Sequence, residues 1–346
     1  MSTSDSNCKD GASKSNNDNE GVCDVNDKLQ NMRIGAAVSV CANCGKEGDE
    51  INNICNKCKQ VKYCNAVCKK VHKNKHKKRC EELIRRATEK RNDELRIAAD
   101  LHDKELFKQP QPAEDCPICF LRLPSLPSGS KYYACCGKMI CSGCVYAPLY
   151  DNQGNQVDNK KCPFCRTPHP KTEKEALERY KSRVEVNDAY TIYNIGLLYR
   201  NGKYGYPRDM NKAFEYWHRA GELGQAEAYN NVGNAYDVGR GVEVDKKKAI
   251  HYYELSSMRG NVIARYNLGL NEARAGNMDR ALKHHMIAVR DGYADSLDYI
   301  KKMYKHGDAT KEDYTTALIS YQAYLSEIKS DQRDEAAAAD DHYRYY

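Results

Sequence analysis

Apolar positions in the C-terminal half recur at helical spacing inside a larger unit. An apolar residue is followed four positions on by tyrosine and seven on by glycine, as Ile195/Tyr199/Gly202, Val232/Tyr236/Gly239 and Ile300/Tyr304/Gly307. A worn copy stands at Leu268, with Glu272 and Ala275 in the later slots. Glycine follows the apolar residue at Gly196, Gly233 and Gly269, and an alanine opens a second helix at Ala213, Ala249, Ala281 and Ala317. The first-helix spacings are 37, 36 and 32 residues and the second-helix spacings 36, 32 and 36. The short interval common to both places a deletion in the third copy's loop, Gly276 to Asp279. A two-helix unit of this length cannot bury its apolar face alone, so the pattern predicts a stacked α-solenoid. Four repeats are expected from Ala189 to about Glu327, within a domain at 172–328, followed by a tail at 329–346. The small residues let paired helices approach closely, and Tyr199, Tyr236, Tyr304 and Trp217 are expected in the core. His284 and His285 are adjacent on a helix, face different ways and make a poor metal pair.

Upstream the pattern changes. Residues 81–112 are charged, and widely spaced apolar positions (Leu83, Ile84, Leu95, Ile97, Leu101, Leu106) predict a helical linker ended by Pro110 and Pro112. Residues 1–38 are rich in Ser, Asn, Asp and Gly and cannot offset their ordering entropy, so a disordered leader is expected. No apolar run approaches a membrane span or a signal-peptide core. An intracellular, reducing setting follows, cytoplasmic or nuclear, with no membrane partner.

Cysteine usage carries the chemistry. Of 17 cysteines, 15 lie between Cys41 and Cys165, and none follows. Such concentration in a reducing compartment points to metal rather than disulfides. The first group reads Cys41-x2-Cys44, Cys55-x2-Cys58, Cys64-x3-Cys68 and His76-x3-Cys80. The second reads Cys116-x2-Cys119, Cys135-Cys136, Cys141-x2-Cys144 and Cys162-x2-Cys165. Each pair presents two soft donors to one ion, and zinc takes four, so sixteen donors predict four zinc ions. Spacing alone leaves the pairing open between sequential and alternating sets. The formal charge of +7 loses its meaning once thiolates and divalent ions are counted, which disfavours nucleic acid as a partner. The basic run at Lys69, Lys70, Lys73, Lys75, Lys77, Lys78 and Arg79 is read as a solvated helix face, with a nuclear-import signal or phosphate contact as the alternative.

The first group, 41–80, resembles a MYND zinc finger, down to Tyr63 before the fifth ligand. That resemblance implies alternating pairs, with Cys41, Cys44, Cys64 and Cys68 on one ion and Cys55, Cys58, His76 and Cys80 on the other. His72 is expected to lie outside the set, at the surface. The family's glutamine and tryptophan for proline-containing peptides are Lys69 and Lys73 here, so the aromatic platform is absent. The second group, within 114–168, resembles a RING finger. Its cross-brace implies Cys116, Cys119, Cys141 and Cys144 on one ion and Cys135, Cys136, Cys162 and Cys165 on the other. Lys138 occupies the family's usual histidine slot, and the adjacent Cys135 completes the tetrahedron. The repeats resemble SEL-one-like repeats, cousins of the tetratricopeptide repeat, most closely at Gly239-Arg240-Gly241-Val242-Glu243-Val244-Asp245 with Lys248-Ala249.

These resemblances imply a mainly α protein: two small zinc-stabilised cross-brace domains followed by an α-solenoid of helix-turn-helix repeats. They imply a RING-type ubiquitin-protein ligase that positions a ubiquitin-charged conjugating enzyme. Ile118 and Pro163 would form the apolar contact, Arg166 would be the linchpin, and Tyr146 or Leu149 would complete the groove. The solenoid would recruit substrate proteins on its concave face. A non-catalytic zinc-finger adaptor is the alternative. With four protein ligands on every ion, no open position is left for a hydrolytic water.

Overall fold

The computed structural model describes residues 39–48, 51–111, 114–147 and 160–345. The expected leader and Leu149 lie outside them. The chain divides into two compact units, residues 1–96 and 97–346.

In the first unit, β1 (Asn53–Ile54) and β2 (Lys62–Tyr63) form a small antiparallel ribbon. The long helix α1 (Ala66–Leu106) follows. Asn65 caps it, its side-chain oxygen accepting from the Cys68 amide at 2.8 Å. Cys41, Ile51 and Tyr63 make a core too small to hold forty residues without metal. Past Cys80, α1 meets mostly solvent: Leu95 is 59% exposed. Pairs one turn apart, Arg85 with Glu89 and Glu82 with Arg86, stand in for packing there.

The second unit opens with the last residues of α1, Ile97–Leu106. A cysteine-rich module follows: the hairpin β3 (Ser130–Tyr133) and β4 (Lys138–Cys141), then α2 (Ser142–Tyr146). The helix α3 (Glu173–Glu185), capped by Thr172, leads into the repeats. These are α4 (Ala189–Asn201) with α5 (Met210–Glu222), and α6 (Ala226–Val238) with α7 (Lys246–Met258). The third and fourth pairs are α8 (Val262–Arg274) with α9 (Met278–Arg290), and α10 (Ala294–His306) with α11 (Lys311–Ile328). Asp209 and Asp245 cap the second helices of the first two copies. Gly202 and Gly239 take the left-handed φ that ends α4 and α6.

The glycine column works as expected. A Cβ at Gly196 would lie 2.5 Å from the Trp217 ring, at Gly233 2.8 Å from Tyr253, and at Gly269 2.6 Å from His285. The rings repeat with the repeat: Trp217, Tyr253 and His285 hold one position in successive copies, and His285 is therefore a core ring. Tyr304 departs from expectation. At 41% exposed it lies on the surface, stacked on Tyr314 with centroids 5.8 Å apart.

The segment 329–346, read as a tail, instead carries a capped helix, α12 (Asp331–Ala339), with Ser330 as its N-cap. It packs on α2, bringing the Arg333 backbone to 2.9 Å from where a Gly143 Cβ would lie. The cysteine module touches both ends of the repeat array. At one end Tyr132 hydrogen-bonds Thr191 at 2.8 Å and lies over Tyr190. At the other, Arg122 pairs with Asp291 and Glu327, each at 2.8 Å, and the Ser125 amide donates to the Tyr324 hydroxyl.

Candidate metal centres

Four of the five Cys-x2-Cys turns, those led by Cys41, Cys55, Cys116 and Cys162, share one local fold. The fourth residue after each leading cysteine returns its N–H to that cysteine's carbonyl: Gly45 to Cys41, Lys59 to Cys55, Phe120 to Cys116 and Arg166 to Cys162, at 2.9–3.0 Å. Those four residues take positive φ, between 57° and 73°. The turn aims both sulfurs to one side and fixes the direction in which the next residue leaves.

Four sets of donors result, with all ligand atoms of a set within 4.8 Å of one another: Cys41, Cys44, Cys64 and Cys68; Cys55, Cys58, His76 and Cys80; Cys116, Cys119, Cys141 and Cys144; Cys135, Cys136, Cys162 and Cys165. The alternating sets implied by both finger resemblances are therefore the ones brought together. A tetrahedral zinc with Zn–S of about 2.3 Å sets its sulfurs about 3.8 Å apart. The observed Cys44–Cys64, Cys64–Cys68, Cys55–Cys80, Cys119–Cys141 and Cys136–Cys162 separations are 3.6, 3.5, 3.7, 3.7 and 3.9 Å. Cys58 Sγ lies 3.4 Å from His76 Nε2. A disulfide would need sulfurs at about 2.05 Å, so the thiols are free and spaced for metal. Each set can hold one zinc ion.

The thiols of the first set divide their protons unequally. Burial pushes the Cys41 thiol up, but backbone N–H groups of Cys64, Cys44 and Asn43 outweigh it and bring it down to about 6. Cys64, held by Cys68 and Cys44, is pushed up to about 12. Sulfurs that share negative charge this way are suited to a divalent cation, whose binding releases the remaining protons.

In the first module, Tyr63 is 1% exposed and meets the His72 and His76 rings edge-on, at 5.7 and 6.5 Å. His72 is half-buried rather than at the surface: its ring stacks on His76 at 5.8 Å, and its Nδ1 meets the Tyr63 hydroxyl at 3.3 Å. Lys69 donates to Asn56 at 2.8 Å and Lys73 is exposed.

In the second module the adjacent pair Cys135-Cys136 sits in the β3–β4 turn. The Cys136 and Gly137 amides both return to the Tyr133 carbonyl, and the tight bend lets both sulfurs face one ion. Lys138 is exposed in β4, opposite Tyr133. Ile118 and Arg166 are exposed and Pro163 is half-buried; Phe120 and Phe164 add exposed apolar surface beside them in sequence, at 76% and 44%.

One residue at these centres has no motif to announce it. Arg333 of α12 is fully buried and reaches the module through the Arg122 carbonyl at 2.9 Å and Cys119 Sγ at 3.9 Å.

Comparison with known proteins agrees with this organisation. Residues 41–80 match the MYND finger family, and residues 189–225 and 226–261 match the Sel1 repeat. Chitin synthase regulatory factor 4 of Schizosaccharomyces pombe is 25% identical over 161 residues, 46% of this chain and 25% of that protein. The E3 ubiquitin-protein ligase DA2 of Arabidopsis thaliana is 43% identical over 56 residues, 16% of this chain and 12% of the ligase. The matched region thus spans a quarter or less of either relative. Among solved structures, a Sel1 repeat protein from Oxalobacter formigenes aligns with a TM-score of 0.40 at 24% identity, covering 50% of this chain and 68% of that one. No helix among the described residues is long and apolar enough to cross a membrane. The chain is a mainly helical one that carries a MYND finger, further cysteine clusters suited to zinc, and Sel1 repeats.

Proposed function

We propose that the second cysteine module is a RING-type finger and that the protein is a ubiquitin ligase whose repeats gather substrate. The observation that carries this reading is the pair of outer metal turns. Cys116 and Cys162 sit in one core cluster, and their turns present Ile118, Phe120 and Phe164 outward beside half-buried Pro163, with Arg166 directly after Cys165. An exposed apolar surface pinned at both ends by metal fits a transient protein partner. The short match to a protein named as an E3 ubiquitin-protein ligase supports the same reading.

In this mechanism the protein forms no covalent intermediate. Ile118 and Pro163 receive the conjugating enzyme. Arg166, its backbone set by the turn, donates hydrogen bonds that hold the thioester-linked ubiquitin against its carrier. A substrate lysine then attacks the thioester carbonyl and the carrier's thiolate leaves, so the finger contributes positioning.

Discharge of ubiquitin from a charged conjugating enzyme to free lysine tests the proposal. Arg166→Ala removes charge-assisted bonds worth about 1.5–3 kcal/mol, which lowers discharge roughly 10- to 100-fold with zinc content unchanged. Ile118→Ala weakens recruitment, and excess conjugating enzyme partly restores its rate; Arg166→Ala is not restored in that way. Wild-type inactivity across a broad panel of conjugating enzymes would leave the protein a zinc-finger scaffold.

A further inference from the structure

The end of α1 lies against the repeats. Leu101 is 52% exposed, but Leu106 is 1% exposed, packed among Ala249 and Tyr253 of α7 and Ala264 and Leu268 of α8. Asp103 pairs with Arg280 of α9 at 2.5 Å, and the same guanidinium lies over the Phe107 ring at 5.0 Å. Phe107 packs on His284 with centroids 4.7 Å apart. Arg265 of α8, fully buried, donates to the Leu106 carbonyl and to the Ser257 carbonyl. Asp103, Leu106 and Phe107 stand at i, i+3 and i+4, one face of a helix laid against α7, α8 and α9. That is the arrangement by which grooves read helical peptides.

The groove asks for more than this segment supplies. Both nitrogens of His284 and Nε of Arg265 are buried without a hydrogen-bond partner. His284 is 0% exposed, whereas Tyr216 and Tyr252, which hold its position in the two preceding copies, are half-buried. The third copy holds at this position an imidazole with two unpartnered polar atoms, packed against the Phe107 ring. Burial keeps the His284 imidazole neutral, so one of its nitrogens is an unpaired donor, the other an unpaired acceptor, and Arg265 Nε is a further donor. Buried polar groups without partners are costly, so a ligand that brought partners to them would bind better than the residues now in place.

We propose that this groove is a docking site for a helical segment of a partner protein: an acidic residue, then leucine and an aromatic residue three and four positions on, with a further acidic or amide group within reach of His284 and Arg265. Residues 103–107 are its internal occupant and hold it closed. The proposal rests on the protein-interaction role of the repeats and not on ubiquitin transfer, so the two fail separately. A tethered occupant acts at an effective concentration of order millimolar, and a free segment of micromolar affinity is held off about 1,000-fold.

The probe is a fluorescent synthetic peptide of residues 97–111, titrated by anisotropy into the full zinc-loaded chain. Asp103→Lys with Phe107→Ala loosens the internal occupant and leaves the groove untouched. Binding should tighten at least about 100-fold over wild type, and adding Lys283→Glu, whose ammonium lies 5.5 Å over the Phe107 ring, should reverse most of the gain. A double variant with native circular dichroism and no tightened binding overturns the proposal. Should that variant lose its fold, the wild-type chain cut at a protease site placed between Gln111 and Glu114 decides. Release of its N-terminal fragment into excess peptide supports exchange, and retention of the fragment overturns it.

Discussion

Replacing Arg333 by methionine isolates the contact between the C-terminal helix and the second cysteine module. The guanidinium is 0% exposed, and its Nη1 donates to the Ile328 carbonyl at 2.6 Å and the Arg122 carbonyl at 2.9 Å. Nη2 faces the Leu121 carbonyl at 3.4 Å and Cys119 Sγ at 3.9 Å. Burial alone would depress this guanidinium's pKa; the neighbouring Cys141 and Cys119 sulfurs outweigh burial and raise it. Methionine keeps most of the stem's packing and deletes the charge with its fork of donors. The two short charge-assisted bonds are worth about 1.5–3 kcal/mol each. Breaking a buried charged network of this size costs about 3–5 kcal/mol. For a unit of this size that lowers Tm by about 6–20 °C. A second effect is local: a zinc held by four thiolates carries net negative charge, and losing the adjacent cation should weaken that set about 10- to 100-fold. Thermal unfolding gives the first quantity, and chelator competition with a colorimetric indicator gives the second. Arg333→Lys, which keeps charge but not the fork, should fall between. A methionine variant with Tm within about 2 °C of wild type and unchanged zinc release would refute the assignment.

Native mass spectrometry of protein purified without chelator should show four zinc ions, and a reproducible count of two would mean that one module is not a metal site. Gly233→Ala puts a Cβ 2.8 Å from the Tyr253 ring, which is 1% exposed and has no room to retreat; a loss of about 1–3 kcal/mol is expected in urea unfolding. No loss there would show that the glycine column does not set the helix spacing.

The ligands were legible because metal chemistry is written locally: two donors on one turn or one helical step must be near in sequence. Pairing was not, since alternation of Cys41/Cys44 with Cys64/Cys68 is a property of the folded ribbon; only the family resemblances pointed to it. The repeat period was legible for the same local reason, and it contained one further signal. Counting 36 and then 32 residues from Trp217 through Tyr253 lands on His285, which identifies a core ring that its chemistry disguises. The stretch from Ser330 to Ala339, S-D-Q-R-D-E-A-A-A-A, also carried a cap and a helix-forming run. What gave no sign was which apolar residue of the linker would be buried. Leu95, Ile97, Leu101 and Leu106 read alike, and Leu106 is chosen by Arg265 and Tyr253, about 150 residues away along the chain.

The placement of the second module changes what metal does for the protein. No cysteine follows Cys165, so within the repeats themselves stability comes from the stacking of neighbours. Yet the ends of a solenoid are where stacking runs out, and here the ends are what the module touches. Tyr132 meets the first repeat at Thr191, and Arg122 meets Asp291, which closes the third pair, and Glu327 of the last. α12 closes the array by packing on α2, which directly follows Cys141 and carries Cys144, two members of one candidate zinc set. A capping repeat with a polar outer face is the usual solution to an exposed end; here the second cysteine module and a buried arginine serve instead. The arrangement ties the outer turns that carry Ile118 and Arg166 to the repeat array, so a protein bound by the repeats would be held at a fixed distance from the second module. In a ligase that acts by positioning, such rigidity would limit which lysines of a bound substrate reach the thioester.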